Sequence, residues 1–88
     1  MSSPDPRRPL SELPDGTTAV VAGVRESASA DVGPATLRRL EELGFVEGEP
    51  VEVLRRGPGG REPIAVRIGD TLFALRRAEA QCIEVTGA

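Results

Sequence analysis

The spacing of hydrophobic positions changes along this chain, and each change predicts an element. Leu10 and Leu13 lie three apart in a polar setting, which predicts a short helical turn with both leucines inward. Pro14-Asp15-Gly16 has turn chemistry: proline sets φ, and glycine accepts the positive φ. Thr17 to Val24 is rich in β-branched residues and predicts a first strand. Alternation there assigns Val20, Ala22 and Val24 to one face and Val21 to the other. Gly23 inside the run predicts a bulge or sharp bend. Arg25 to Gly33 is small and polar, a loop, and a helix starts near Pro34, a residue favoured in the first helical turn. Leu37, Leu40 and Leu43 form its apolar stripe, while Arg38, Arg39, Glu41 and Glu42 take the other faces. Arg38 and Glu42 stand at the spacing of a helical ion pair. Gly44 ends the helix as a left-handed cap, and Phe45 is placed to fold back on the stripe.

Glu47-Gly48-Glu49-Pro50 reads as a turn into a second strand, Val51 to Arg56, with Val51 and Val53 inward. Gly57-Pro58-Gly59-Gly60 reads as a flexible tip. The clearest local signal follows it. Ile64, Val66 and Ile68 alternate up to a two-residue Gly69-Asp70 turn, after which Thr71 to Leu75 returns. That hairpin opposes Ile68 to Thr71, Val66 to Phe73 and Ile64 to Leu75. Arg76 to Ala80 is a brief helical turn, and Ile83 to Val85 a last short strand. The expected fold is mostly β: a small SH3-like barrel of about five strands, with one short helix between the first and second. Closing the sheet on itself would remove its exposed edges. Residues 1–9 carry three prolines and read as a disordered tail; residues 10–86 read as the domain.

Composition narrows the functional classes. With 88 residues there is room for one domain and little surplus for a deep cavity. The net charge is −3, and every basic residue is arginine. A mildly acidic chain whose only aromatics are Phe45 and Phe73 lacks the basic face and stacking platforms of a nucleic-acid binder. The missing aromatics also disfavour a groove for proline-rich peptides. No apolar run approaches the about 20 residues that span a bilayer, and Met1 to Pro9 has no apolar core of a secretory signal, so the expected location is cytoplasmic. There is no histidine, which removes the usual general base and the Ser-His and Cys-His nucleophile arrangements; no catalytic residue is assigned and no enzyme expected. Gly57-Pro58-Gly59-Gly60 leads into a strand and lacks a lysine, so it is no phosphate loop.

Three blocks resemble the FeoA family. They are Leu10-Ser11-Glu12-Leu13 with Gly16; Leu40-Glu41-Glu42-Leu43-Gly44-Phe45-Val46-Glu47-Gly48 with Val51 and Val53; and Glu62-Pro63-Ile64 with Gly69, Ala74 to Ala80, and Ile83 to Val85. The match runs from Leu10 to Val85. Members often carry proline where Glu47 stands and aspartate where Glu62 stands. The resemblance implies an SH3-like fold and a non-enzymatic accessory role in bacterial ferrous-iron uptake, docked on FeoB, a membrane permease with a cytoplasmic GTPase domain. Similar domains form the C-terminal module of iron-dependent repressors, so the alternative is a metal-responsive module acting on a transcription factor. The family is also associated with transition-metal binding, Fe2+ included. This sequence supplies few ligands for that: no imidazole and one thiol, Cys82, which reads as a small buried hydrophobe. Glu41, Glu42 and Glu47 would make at most a loose carboxylate site, so no metal ligand and no cofactor is assigned.

Partner binding is the chemistry that remains. The candidate surface is the helix and the turn after it: Arg38, Arg39, Glu42, Gly44, Phe45 and Glu47. Phe45 has two readings, a staple on the helix end or a hydrophobic anchor for a partner's pocket. Arg38 and Arg39 are a solvated face that could steer the domain toward acidic patches. The same holds for Arg76 and Arg77. The expected assembly is a monomer or a weak dimer through an uncapped strand edge, reaching the membrane only through its partner.

Overall fold

The structure, a computed structural model, describes residues 7–28 and 30–87. Met1 to Pro6 of the predicted tail lie outside these. In chain order the strands are β1 (Arg8–Pro9), β2 (Thr18–Val24), β3 (Pro50–Gly57), β4 (Arg61–Ile68), β5 (Thr71–Leu75) and β6 (Ile83–Thr86). Helix α1 (Pro34–Leu43) joins β2 to β3, and a five-residue helix α2 (Arg77–Gln81) joins β5 to β6. Single 3-10 turns occupy Leu10–Glu12 and Pro58–Gly60. All the strands join one antiparallel sheet in the order β1-β6-β2-β3-β4-β5, and the fold is SH3-like.

The hairpin forms in the expected register, with Ile64 opposite Leu75, Val66 opposite Phe73 and Ile68 opposite Thr71. The mostly β, SH3-like architecture holds, and the described residues add two details to it. The strand count rises to six because Arg8 and Pro9, placed in the tail, pair with Val85 and Glu84 of β6. The sheet also stays open: β1 and β5 end it without pairing to each other. A two-residue strand has too little periodicity to be read from sequence, and the prolines around it mimic disorder.

Val20 and Val21 lie on opposite faces of β2, as alternation assigns, and the structure decides which face is buried. Ala19 and Val21 point into the core, and Val20 is 40% exposed. Two adjacent valines leave the phase of alternation open. Cross-strand pairing sets it, with Ala19 opposite the buried Val51 and Val21 opposite the buried Val85. The predicted irregularity at Gly23 is present as a register shift between Val21 and Gly23, after which Val24 packs against the core. The glycine-rich tip turns tightly over Pro58–Gly60, with Gly59 in the left-handed region at φ 76°. A Cβ at Gly57 would lie 2.3 Å from the Glu62 carbonyl oxygen, so only glycine lets the two backbones approach there.

One apolar cluster fills the interior, drawn from every strand but β1 and from α1, α2 and the first 3-10 turn. Leu10 and Leu13 are fully buried in it, as their spacing predicted. A second register shift, between Val53 and Arg55, explains what holds them. Val51 and Val53 face inward, but after the shift it is Arg56, opposite the buried Ile64, that shares the core face. Its guanidinium then reaches across the opening of the sheet. Nη2 donates to the carbonyl oxygens of Ser11 and Leu13, both at 2.8 Å, and Nη1 donates to Asp15 Oδ1 at 2.6 Å. The Arg56 side chain is only 15% exposed, so these charge-assisted bonds are screened little by solvent. Replacing Arg56 with methionine should keep much of the packing and lose all three bonds. The expected cost is about 2–4 kcal/mol in urea-induced unfolding, and a loss within 0.5 kcal/mol of zero would show that the leucines hold the segment unaided.

Candidate partner-binding surface

Helix α1 is placed by a single turn of its stripe. Leu40 is buried and Leu43 packs against the core, while Leu37 is only half-buried. Gly44 adopts φ 118°, the left-handed cap expected of it, and its N–H donates to the carbonyls of Leu40 and Glu41. The cap reverses the chain and sends Phe45 inward. Phe45 is fully buried, its ring centroid 5.6 Å from that of Phe73 at a 52° tilt. The anchor reading of Phe45 is therefore corrected: the side chain staples the helix end and offers a partner nothing. The next residue, Val46, is the exposed one, at 42%. Phe45→Ala should cost about 3–5 kcal/mol in chemical unfolding, enough to leave a domain of ordinary stability largely unfolded.

An open groove of about 410 Å³ lies beside this turn. Val46, Glu41 and Glu47 border it, together with Gly23, Arg25 and Glu84. Its lining carries both signs of charge. Arg7 and Arg25 flank Glu84, with their Nη1 atoms 3.8 and 3.7 Å from Glu84 Oε1, too far for a hydrogen bond. That oxygen is buried and accepts no hydrogen bond among the described residues, although the Glu84 side chain as a whole is 27% exposed. The bulge in β2 opens this space by breaking the pairing beside Gly23.

Of the expected surface residues, Phe45 and Glu47 border the groove, and Arg38, Arg39 and Glu42 stand exposed on α1 away from its lining. Arg38 and Glu42 do not form the ion pair their spacing offered; the ion pairs among the described residues lie elsewhere. Sequence reasoning missed Val46, Arg25 and Glu84. Val46 follows from the Gly44 cap once Phe45 is known to be inward, whereas Arg25 and Glu84 are brought together only by β2–β6 pairing. Glu62 has a defined place too: its Oε1 accepts the Arg77 N–H at 2.6 Å, at the start of α2. Glu79 Oε1 accepts the Arg76 N–H at 2.8 Å in the same turn.

No group of three or more His, Cys, Asp or Glu side chains converges among the described residues. Glu41, Glu42 and Glu47 are not brought together as such a group. Cys82 is fully buried. Burial pushes its thiol above the ordinary range and the charges of Glu26 and Glu79 add to this, while a backbone hydrogen bond at Ser27 pulls the other way. The folded thiol therefore ionises at higher pH than the unfolded one. Its contribution to stability is full below the ordinary thiol range and is lost as pH rises through the folded value. Iodoacetamide should modify Cys82 at least about 100-fold more slowly in the native protein than in denaturant; equal rates would show that the site opens readily.

The fold is that of a small SH3-like domain, with a mixed-charge groove beside its helix. Residues 8–87 match the FeoA domain, and the chain belongs to the FeoA family. It is 39% identical over 77 residues to the Fe(2+) transport protein A/Fe(2+) transporter FeoB fusion protein of Porphyromonas gingivalis, a match covering 86% of this chain and 8% of that protein. Among solved structures it is similar to the FeoA of Stenotrophomonas maltophilia complexed with zinc, at 49% identity and a TM-score of 0.74, covering 88% of this chain and 87% of the other. The FeoA protein of Chlorobium tepidum is 41% identical with a TM-score of 0.74, over 89% and 68% of the two chains. A manganese-dependent transcriptional repressor is similar at 28% identity and a TM-score of 0.76, over 98% of this chain and 44% of that one. No helix among the described residues is long and apolar enough to cross a membrane.

Proposed function

We propose that this domain is a non-catalytic accessory of bacterial ferrous-iron uptake that docks on the cytoplasmic GTPase portion of a FeoB-type permease and modulates it. The observation that carries this reading is the Porphyromonas gingivalis relative, whose description joins an Fe(2+) transport protein A to the Fe(2+) transporter FeoB in one polypeptide. Covalent linkage raises the effective concentration of two modules, which is useful when their association is productive.

The docking face is the groove beside the α1 cap. Exposed Val46 supplies an apolar contact next to the rigid Gly44 turn. Glu41 and Glu47 together with the Arg7–Glu84–Arg25 cluster give a charge pattern that a partner can match in one orientation only. Arg38 and Arg39, exposed on the adjoining helix, would act on the rate of encounter more than on the docked state.

The likeness to manganese-dependent repressors over 98% of this chain supports a second reading, a metal-responsive module acting on a transcription factor. Calorimetric titration against the soluble GTPase portion of the permease, with and without guanine nucleotide, separates the two. Docking predicts saturable binding that Val46→Asp weakens at least about 10-fold, with the fold intact because Val46 lies outside the core. Binding in no nucleotide state, together with capture of a DNA-binding protein on the immobilised domain, would favour the second reading.

A further inference from the structure

Two strand edges end the sheet, and they differ in how they are protected. β1 is two residues long and carries Arg8 and Pro9, a charge and a residue without an N–H, both of which discourage further pairing. β5 reads Thr71-Leu72-Phe73-Ala74-Leu75, with neither a charge nor a proline, and it pairs with β4 alone. The two-residue turn makes Ile68 and Thr71 the first hydrogen-bonded pair, so Phe73 and Leu75 also bond to β4. Leu72 and Ala74 then direct their N–H and C=O groups away from the sheet. Both side chains are exposed, Leu72 by 62%.

We propose that this edge pairs with the same edge of a second copy of the chain, antiparallel about a two-fold axis at Phe73, to form a weak homodimer. The flanking charges select both partner and register. Asp70 and Arg76 lie three residues to either side of Phe73. In the antiparallel register centred there, Asp70 faces Arg76 of the partner subunit, and Arg76 faces the partner's Asp70. A parallel pairing would instead oppose like charges at both ends, which is destabilising. In the favoured register Leu72 and Ala74 exchange main-chain hydrogen bonds with the partner's Ala74 and the partner's Leu72. Half-buried Phe73 meets its own counterpart, extending the aromatic contact it makes with Phe45. An edge of five residues offers less than the standard interface of about 1,600 Å², so the dimer dissociates on dilution.

Sedimentation equilibrium of the full chain from about 5 µM to about 1 mM tests this directly. The apparent mass should rise toward that of a dimer, and amide exchange at Leu72 and Ala74 should slow over the same range while Phe73 is protected throughout. Leu72→Arg places a charge on the open edge without touching the core and should hold the protein monomeric at the highest concentration. Charge reversal adds a specific check. Asp70 has a negative φ, so Asp70→Arg is compatible with the turn, and Arg76→Asp keeps a good helix-capping residue. Each variant alone should associate at least 10-fold more weakly, and an equimolar mixture should regain dimer, since every facing pair is again of opposite sign. A protein monomeric at every concentration, or dimers indifferent to Leu72→Arg, would overturn the proposal. So would a strictly monomeric chain in which Leu72→Arg weakens only permease binding, because the edge would then take an extended segment of that partner.

Discussion

The Arg56 guanidinium holds the N-terminal segment against the sheet, and much of the domain depends on that contact. A chain of this size has one apolar cluster, and Leu10 and Leu13 are among its largest fully buried side chains. The turn that carries them is a single 3-10 turn with few bonds of its own, and it would not persist alone in water. Donation from Arg56 to the Ser11 and Leu13 carbonyls ties the turn to β3 across more than forty positions of sequence. The arginine can do this because a register shift in β3 rotates it onto the core face. Burial of its stem and three charge-assisted hydrogen bonds offset the desolvation of its charge.

With that end of the sheet covered, the other features follow from the geometry of a small curved sheet. The bulge at Gly23 lets β2 bend between β3 and β6, and the same break leaves the groove beside Glu84. The Gly44 cap drives Phe45 inward and Val46 outward within two residues. Phe45 links the two surfaces of interest. It borders the groove through its position in the turn, and its ring touches Phe73 on the strand whose outer edge is open.

The chemistry of the proposed site suits recognition. Its charged side chains line an open groove, and the chain's sole thiol is withdrawn into the core, where burial raises the cost of ionising it. Side chains held this way select a partner and fix its orientation, with affinity coming from the apolar contact they surround.

Local pattern alone determined a large part of this protein. Alternation and a two-residue turn specified the β4–β5 hairpin to the residue, and the spacing of Leu10 and Leu13 specified their burial. Glycine chemistry specified the cap at Gly44 and the irregularity at Gly23. These succeed because each depends on neighbours within a few positions. Tertiary structure decided the rest: which of Val20 and Val21 is buried, whether Arg8–Pro9 is a strand, where Arg56 reaches, and which charges meet at the groove. Pairing register between distant strands sets each of these, and a one-residue shift exchanges the inner and outer faces. The same holds for Phe45, whose position after the cap was legible while its burial against Phe73 required the hairpin to be in place.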